Sequence, residues 1–351
     1  MCVTGADSKW WLLVVVAIHA CGGATRREPP EALDAGSDVI GEDGVADVGE
    51  VDDGTSADVE IPKLDFGAIG KPVLVANRFQ FTEGPVWDPA QQALFFTDID
   101  GDKLYRFTEP DAFEVVLASS GVANGLAIDP SGHLLVAGFG ARNVWRARGL
   151  EAEVLADSYR GMKLNSPDDL VARSDGTIYF TDPTYGIDGT NGPAGKGELG
   201  FMGVFRVAPD GALFLEDASR NDPNGVSLSP DERSLFVSYT STSEVTAFDV
   251  AADGSLGGKR MFASGLSIPD GMTVDRGGNV YVAVLTGVAV LAPSGALLGT
   301  IAVPQWASNC AFGGVDQRTL FITARNIVGA NKAGALYRID HMPVAGIPGQ
   351  P

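Results

Sequence analysis

A sequence pattern that recurs six times constrains the fold of this chain more than any other feature. Each copy begins with a polar residue and continues with a small residue, an alternating apolar strand, a turn and a second apolar strand. The six leading polar residues are Glu83, Asn124, Asp168, Asn224, Asp270 and Asn309. They are separated by 41, 44, 56, 46 and 39 residues, and about 40 to 45 residues form one four-stranded propeller blade. The pattern predicts an all-β fold, a six-bladed β-propeller.

The turn inside each copy lies at a constant distance from the leading residue, which supports a repeated structural unit. The residues eight positions after the leading residues are Gln91, Gly132, Gly176, Glu232, Gly278 and Gln317. The third copy is longer because extra residues run from Asp182 to Gly200. We expect this insertion to form a wall or lid of a binding site; a plain surface insertion is the alternative.

The first 21 residues have the features of an export signal. Residues 10–18 form an apolar run behind Lys9, too short to span a bilayer but typical of a secretory signal. Ala20, Cys21 and Gly22 then resemble a bacterial lipoprotein signal, in which Cys21 is lipid-modified; ordinary cleavage near Ala20 is the alternative. We predict export to the bacterial periplasm or cell surface, with contact to a membrane only through a lipid anchor at Cys21.

Residues 22–62 are expected to form a disordered acidic linker. The segment 28–60 contains twelve of the 45 Asp and Glu residues and no Lys or Arg, and it lacks the aromatic residues that help to build a core. The formal net charge of −20 disfavours nucleic acid as a partner. We therefore predict one propeller domain at 63–345, acting as a monomer. Its only cysteine, Cys310, lies in an apolar run and is predicted to be buried.

The leading residues also predict a cation site. The innermost strand of each blade follows the central channel, so the residue before it lies at the channel mouth. All six leading residues are carboxylates or carboxamides, which suit a hard divalent cation, with Ca²⁺ the best match and Zn²⁺, Mg²⁺ or Mn²⁺ as alternatives. Turn capping is the competing role, and we expect it for Asn124 and Asn309. None of the three histidines is in this ring, which disfavours a zinc hydrolase and a Ser-His-Asp triad.

Six segments resemble the gluconolactonase/regucalcin family and follow one another in the order found there. They are Phe81–Trp87, Ala123–Asp129, Leu164–Leu170, Ile178–Gly186, Pro223–Val226 and Pro269–Met272. The resemblance covers residues 70–340 and implies a six-bladed propeller that binds one divalent cation, usually calcium, and that commonly hydrolyses sugar lactones.

The resemblance assigns roles to particular residues of this chain. It implies that Glu83, Asn224 and Asp270 are metal ligands. The family's motif Asn-Ser-Pro-Asn-Asp corresponds to residues 165–169, and its second asparagine falls at Asp168. At residues 137–140 this chain has Ala-Gly-Phe-Gly where many bacterial members have Cys-Glu-His-Gly. Arg142 is expected to keep the cationic position nearby. The metal site is therefore expected to be retained and the substrate surroundings to differ.

The resulting hypothesis is hydrolysis of a sugar lactone or another small ester at a divalent cation. Glu83, Asp168, Asn224 and Asp270 would hold the cation, and Asp270 or Asp168 would take the proton from water. Substrate contacts are expected from Asn124, Arg142, Asp169, Tyr185 and Glu198. Two alternatives remain open at this point: another hydrolase on the same scaffold, such as an arylesterase or organophosphatase, and a non-catalytic cell-surface propeller in which calcium is structural.

Overall fold

The computed structural model describes residues 63–148, 151–189, 195–326 and 333–350 of the chain. The predicted signal at 1–21 with Cys21 and the predicted linker at 22–62 lie outside the described residues. Within the described ranges, the helical content is a single 3₁₀ turn at Phe66–Ala68. That part of the chain contains no helix long and apolar enough to cross a membrane.

In the described residues, twenty-four strands form six antiparallel sheets of four strands each. Blades 1 to 3 consist of β2 (Thr82–Asp88), β3 (Ala93–Asp98), β4 (Lys103–Thr108) and β5 (Ala112–Leu117); β6 (Leu126–Ile128), β7 (Leu134–Gly138), β8 (Asn143–Arg148) and β9 (Glu151–Ala156); and β12 (Leu170–Ala172), β13 (Ile178–Asp182), β14 (Gly203–Val207) and β15 (Leu213–Asp217). Blades 4 to 6 consist of β16 (Pro223–Leu228), β17 (Ser234–Tyr239), β18 (Glu244–Val250) and β19 (Leu256–Ser264); β20 (Met272–Val274), β21 (Val280–Val284), β22 (Gly287–Leu291) and β23 (Leu297–Ala302); and β24 (Trp306–Gly313), β25 (Thr319–Arg325), β26 (Gly334–Ile339) and β1 (Val73–Phe79). A small hairpin of β10 (Ser158–Tyr159) and β11 (Met162–Lys163) follows blade 2. The prediction of an all-β, six-bladed propeller is confirmed.

Blade 6 joins the two ends of the domain. Its outermost strand, β1, comes from the N-terminal side and pairs antiparallel with β26, with Val73 opposite Arg338 and Phe79 opposite Gly334. The six-fold pattern did not reveal this strand, because β1 precedes the first leading residue, Glu83. The ring is therefore closed by backbone hydrogen bonds within one sheet.

The small residue after several leading residues lets neighbouring inner strands approach each other closely. A Cβ atom on Gly84 would lie 2.2 Å from the Asn124 carbonyl oxygen, and one on Gly225 would lie 2.4 Å from the Asp270 carbonyl oxygen. Only glycine allows this approach without displacing backbone. The pattern of a polar residue followed by glycine therefore brings consecutive leading residues together around the axis.

Hydroxyl groups on the second strand of three blades strengthen the same junctions. The Thr97 hydroxyl donates to the Asn124 carbonyl at 3.0 Å, and the Thr181 hydroxyl donates to the Asn224 carbonyl at 2.5 Å. The Ser238 hydroxyl donates to the carbonyl of Asp270 at 2.7 Å. Each bond joins one blade to the leading residue of the next, and each satisfies a buried carbonyl.

The predicted turns lie where the pattern placed them. Gly132, Gly176 and Gly278 have φ angles of 81°, 92° and 77°, and Glu232 and Gln317 take up the same left-handed conformation. In blade 1 Gln91 also lies in the turn, but the left-handed residue is its neighbour Gln92, with a φ of 50°.

The C-terminal segment crosses the end of the propeller opposite the leading residues. The Gly346 amide donates to the Gln317 carbonyl at 2.8 Å, and the Ile128 amide donates to the Gly349 carbonyl at 3.3 Å. The Gln350 side chain donates to the Ala172 carbonyl at 3.0 Å. The predicted domain end at residue 345 was therefore too early, since the packed chain continues to Gln350.

Hydrophobic layers fill the spaces between the blades. Trp87 stacks on Phe321 with ring centroids 5.8 Å apart, so blade 1 packs on blade 6 through aromatic faces. Cys310 lies fully buried among apolar side chains, as its sequence context predicted. This burial raises the pKa of its thiol, which makes Cys310 a packing residue rather than a nucleophile.

Candidate active site at the channel mouth

All six leading residues are buried at the start of an inner strand. Their exposed fractions lie between 2% and 7%. Asp169, which follows Asp168, is 2% exposed and adds a further carboxylate. Buried carboxylates normally require a partner charge or hydrogen bonds, so four of them at one end of a channel are evidence for a functional site rather than for a stable core.

Burial shifts the protonation of these carboxylates strongly. It raises the pKa of Glu83 to about 7, although the Gly84 amide, the Asn309 side chain and Arg325 counteract it. Burial, reinforced by the charge on Glu83, raises the pKa of Asp169 to about 8. The site therefore resists full ionisation unless a positive charge enters it.

Asp168 and Asp270 also have pKa values well above the ordinary range for a carboxylate. Burial raises the pKa of Asp168 well above that range, and the charges of Asp270, Glu83 and Asp169 raise it further. Burial and then the charge of Glu83 raise the pKa of Asp270 in the same way. Mutual repulsion of this kind shows that the four carboxylates share one electrostatic environment.

The two asparagines expected to cap turns behave differently from each other. The Asn124 amide donates to Asp168 Oδ1 at 2.8 Å, so Asn124 is a partner of the carboxylate cluster and its prediction as a turn cap was wrong. Asn309 does bind the backbone, because its Oδ1 accepts the Cys310 amide at 2.8 Å. Its side chain also lowers the pKa of Glu83 and Asp169 by hydrogen bonding.

Arg325, at the end of β25, brings a positive charge to the same place. Its guanidinium lies 3.8 Å from the ring centre of Phe81 and 4.3 Å from that of Trp306. Its charge lowers the pKa of Glu83 and Asp270. The sequence reasoning missed this residue. The available signal was strand alternation, since Arg325 lies two positions after Thr323, which pairs with the leading residue Asn309.

Arg142 and Glu198 lie at the rim and hold the segment that leads to Asp168. Arg142 Nε donates to the Leu164 and Asn165 carbonyls at 2.7 and 3.0 Å. Arg142 Nη1 is 3.5 Å from Glu198, which in turn accepts the Lys163 amide at 3.0 Å. Both side chains therefore support a loop of the site. Their direct contact with substrate stays a prediction.

Tyr185, from the blade 3 insertion, reaches the carboxylate cluster. Its hydroxyl is buried and, within the part of the chain that the structure describes, has no hydrogen bond of good geometry, although the Thr240 hydroxyl lies beside it. Burial raises its pKa, and the charges of Asp168 and Asp270 contribute. The described part of the insertion thus borders the channel mouth, as expected for a wall of a site.

Asp182 is a buried acid that the sequence reasoning did not assign to the site. Its Oδ2 accepts the Asn165 amide at 2.9 Å, whereas its Oδ1 has no hydrogen-bond partner in the part of the chain that the structure describes. Burial raises its pKa to about 7. Asp182 therefore holds the loop before Asp168, and the Thr-Asp-Pro sequence at the end of β13 was the signal available in the sequence.

The chemistry of these side chains fits a hard divalent cation. Among the described residues, no three His, Cys, Asp or Glu side chains are grouped so that they could hold a metal ion. Glu83 Oε2 and Asp168 Oδ1 instead accept hydrogen bonds from Gly84 and Asn124. The candidate ligand atoms are all oxygens, which suits a hard cation. The negative charge of the four ionised carboxylates exceeds the positive charge of the Arg325 guanidinium, so a bound cation would relieve the repulsion between the carboxylates.

A closed six-bladed β-propeller with a buried carboxylate cluster at one end of its axis defines the class of protein. The family model described as "SMP-30/Gluconolactonase/LRE-like region" matches residues 81–326. This chain therefore belongs to the SMP-30/gluconolactonase/LRE-like family, which confirms the resemblance seen in the sequence.

Known proteins of this kind match most of the chain. A gluconolactonase from Zymomonas mobilis is 33% identical over 297 residues, covering 76% of this chain and 83% of that protein. The solved structure of a gluconolactonase from Xanthomonas campestris superposes with a TM-score of 0.70 at 36% identity, covering 76% of this chain and 89% of that one. A calcium-binding protein, regucalcin from Agrobacterium tumefaciens, shares the fold with a TM-score of 0.66 at 19% identity, covering 80% and 96%.

Proposed function

We propose that this protein is a lactone-hydrolysing enzyme that opens a sugar lactone with the help of a divalent cation, preferably Ca²⁺, at the channel mouth. The observation that carries the proposal is the cluster of four buried, mutually repelling carboxylates, Glu83, Asp168, Asp169 and Asp270. The named gluconolactonases support the activity, and the calcium-binding regucalcin supports the choice of ion.

Glu83, Asp168, Asn224 and Asp270 would hold the cation. When bound, a divalent cation supplies a positive charge that polarises a carbonyl group and stabilises negative charge on its oxygen. An all-oxygen donor set favours Ca²⁺ over Zn²⁺, which is more often bound by nitrogen and sulfur. Mg²⁺ and Mn²⁺ are the ions to compare.

Asp168 and Asp270 are the residues that would move the proton. The Asn124 amide occupies Asp168 Oδ1, which leaves Oδ2 to accept a proton from an attacking water. A carboxylate with a raised pKa is a stronger base once it is ionised. The water oxygen bonds to the lactone carbonyl carbon, the ring C–O bond breaks, and the proton passes to the ring oxygen, which leaves an open-chain hydroxy acid.

The test compares Asp168→Asn and Asp270→Asn with the wild-type protein on D-glucono-1,5-lactone, with acid release followed under buffered Ca²⁺. We expect Asp270→Asn to lower kcat by roughly 10²- to 10⁴-fold, the usual contribution of a general base, and Asp168→Asn to lower it less, because the resemblance places an asparagine at that position. Glu114→Gln, on the exposed outer strand of blade 1, is the matched acid-to-amide control and should retain full activity. Wild-type rates in both site variants would refute the proposal.

A substrate panel separates the proposal from its alternatives. Turnover of aryl esters or organophosphates without turnover of lactones would indicate another hydrolase on this scaffold. A melting temperature that rises with Ca²⁺, without turnover of any ester, would indicate a non-catalytic binding propeller.

We also propose that the protein is exported and lipid-anchored through Cys21, with residues 22–62 as the tether. The apolar run at 10–18 and the Ala-Cys-Gly sequence support this. Expressed in bacteria with a radiolabelled fatty acid, the full chain should be labelled and sediment with membranes, whereas Cys21→Ser should do neither. Equal labelling and sedimentation of the two forms would contradict the anchor.

A further inference from the structure

The Thr240 hydroxyl joins two of the proposed ligand positions. Thr240 directly follows β17, and its Oγ1 lies 2.8 Å from the Pro269 carbonyl oxygen and 3.1 Å from Asn224 Nδ2. Pro269 precedes Asp270 in the chain. One side chain of blade 4 therefore connects Asn224, on its own blade, with the entry to Asp270 on blade 5.

The hydrogen count at Thr240 determines which way the Asn224 amide faces. The Pro269 carbonyl has no hydrogen, so the Thr240 hydroxyl donates its only proton there. Towards Asn224 the hydroxyl can then only accept, which requires the NH₂ group, not Oδ1, to face it. The same amide lies against Asp270, so the NH₂ group has acceptors on two sides and Oδ1 is directed away from both.

A carboxamide can coordinate a cation through its oxygen but not through its NH₂ group. We infer that Thr240 is a positioning residue, which holds the Asn224 amide so that Oδ1 is presented to the divalent cation. The inference rests on the proposed function, because it assigns an orientation to one of the four proposed ligands. Asn124 is the contrast: its amide donates to Asp168 instead, at 2.8 Å.

Ser238, in β17, offers a matched control. It lies two positions before Thr240 and therefore on the same side of the chain. Its hydroxyl accepts the Gly225 amide at 2.8 Å and donates to the Asp270 carbonyl at 2.7 Å. Ser238 therefore joins the same two blades through their backbones and leaves the Asn224 side chain alone.

The test is calorimetric titration of metal-free protein with Ca²⁺, together with thermal unfolding without Ca²⁺. Thr240→Val should bind Ca²⁺ roughly 10- to 100-fold more weakly, the usual effect of losing a residue that orients a metal ligand. Thr240→Ser should stay within about threefold of wild type because the hydroxyl remains. Ser238→Ala should lower the melting temperature with about the wild-type affinity, because it removes only backbone hydrogen bonds.

Each outcome separates this inference from the proposed function. Wild-type affinity in Thr240→Val, or equal weakening in Ser238→Ala, would overturn the positioning role while the calcium site stands. No binding of Ca²⁺, Mg²⁺ or Mn²⁺ by the wild-type protein would overturn both. Should Thr240→Val fail to fold, Thr240→Ala provides the same comparison without the added methyl group.

Discussion

The metal-free protein should lose stability as the pH rises from 5 to 7. Burial raises the pKa of Glu83 from 4.5 to about 7 and that of Asp169 from 3.8 to about 8. At 1.36 kcal/mol per pKa unit, ionising both in the folded state costs about 3 and about 6 kcal/mol respectively. The sum is comparable to the whole stability of a typical domain, about 5 to 15 kcal/mol.

The sign follows from proton binding. Between the ordinary and the raised pKa, the native state keeps a proton that the unfolded chain has released, so the free energy of unfolding falls with increasing pH. Each such group contributes about 1.4 kcal/mol per pH unit, so Glu83 and Asp169 together should remove about 5 kcal/mol between pH 5 and 7. Asp168 and Asp270 have pKa values raised in the same direction and act with them.

Urea unfolding followed by tryptophan fluorescence, on protein freed of metal by a chelating resin, measures this directly at pH 5, 6, 7 and 8. Adding Ca²⁺ should recover more stability at pH 8 than at pH 5, because the ion binds the ionised carboxylates. In Glu83→Gln the slope with pH should be shallower by about 1.4 kcal/mol per unit. A metal-free stability that stays flat or rises over this range would refute the electrostatic account of the site.

Three further predictions test other parts of the molecule. Arg325→Gln removes the positive side chain near the carboxylates, so Ca²⁺ should bind several-fold more tightly at pH 8 in a calorimetric titration. Arg325→Lys keeps the charge and should bind Ca²⁺ like the wild type. Weaker binding of Ca²⁺ by Arg325→Gln would contradict this prediction. Gly84→Ala should lower the free energy of unfolding by more than about 2 kcal/mol, because its Cβ would meet backbone and its φ is positive. Gly132→Ala, with open space around it, should lower the free energy of unfolding by about 1 kcal/mol. Equal losses of the two variants in urea unfolding would refute the close approach at Gly84. Deleting residues 346–350 removes hydrogen bonds at the end of the propeller opposite the site, so it should lower the melting temperature in calorimetry while kcat and KM stay unchanged. A change in kcat would show that this end of the channel affects the site.

The positions of the site residues were predictable because the repeat fixes equivalent places in space. Glu83 and Asn224 belong to different blades, yet each begins an inner strand, and glycines after them bring neighbouring strands into backbone contact. Period and residue type were sufficient to place such residues at one end of the axis. No knowledge of individual contacts was needed.

Contacts that break the repeat could not be predicted in this way. β1 pairs with β26 from a distance of more than two hundred and fifty residues, and nothing in its own sequence indicates that partner. Arg325 ends its strand as an ordinary charged residue, and its place between two aromatic rings depends on how blades 1 and 6 meet. The tail to Gln350 has too little pattern to predict its path across the end of the propeller.

The three asparagines of the ring show how equivalent positions acquire different roles. The Asn124 amide donates a hydrogen bond to Asp168, and the Asn309 oxygen accepts one from the Cys310 backbone amide. Asn224 differs because Thr240 binds its NH₂ group and thereby turns its oxygen away. A repeat can therefore place six oxygen-bearing side chains around one axis, but the neighbour that each side chain finds on the adjoining strand decides which oxygen remains for a ligand. For that reason the contacts of each side chain, and not the symmetry of the ring, should govern where a cation and a lactone bind.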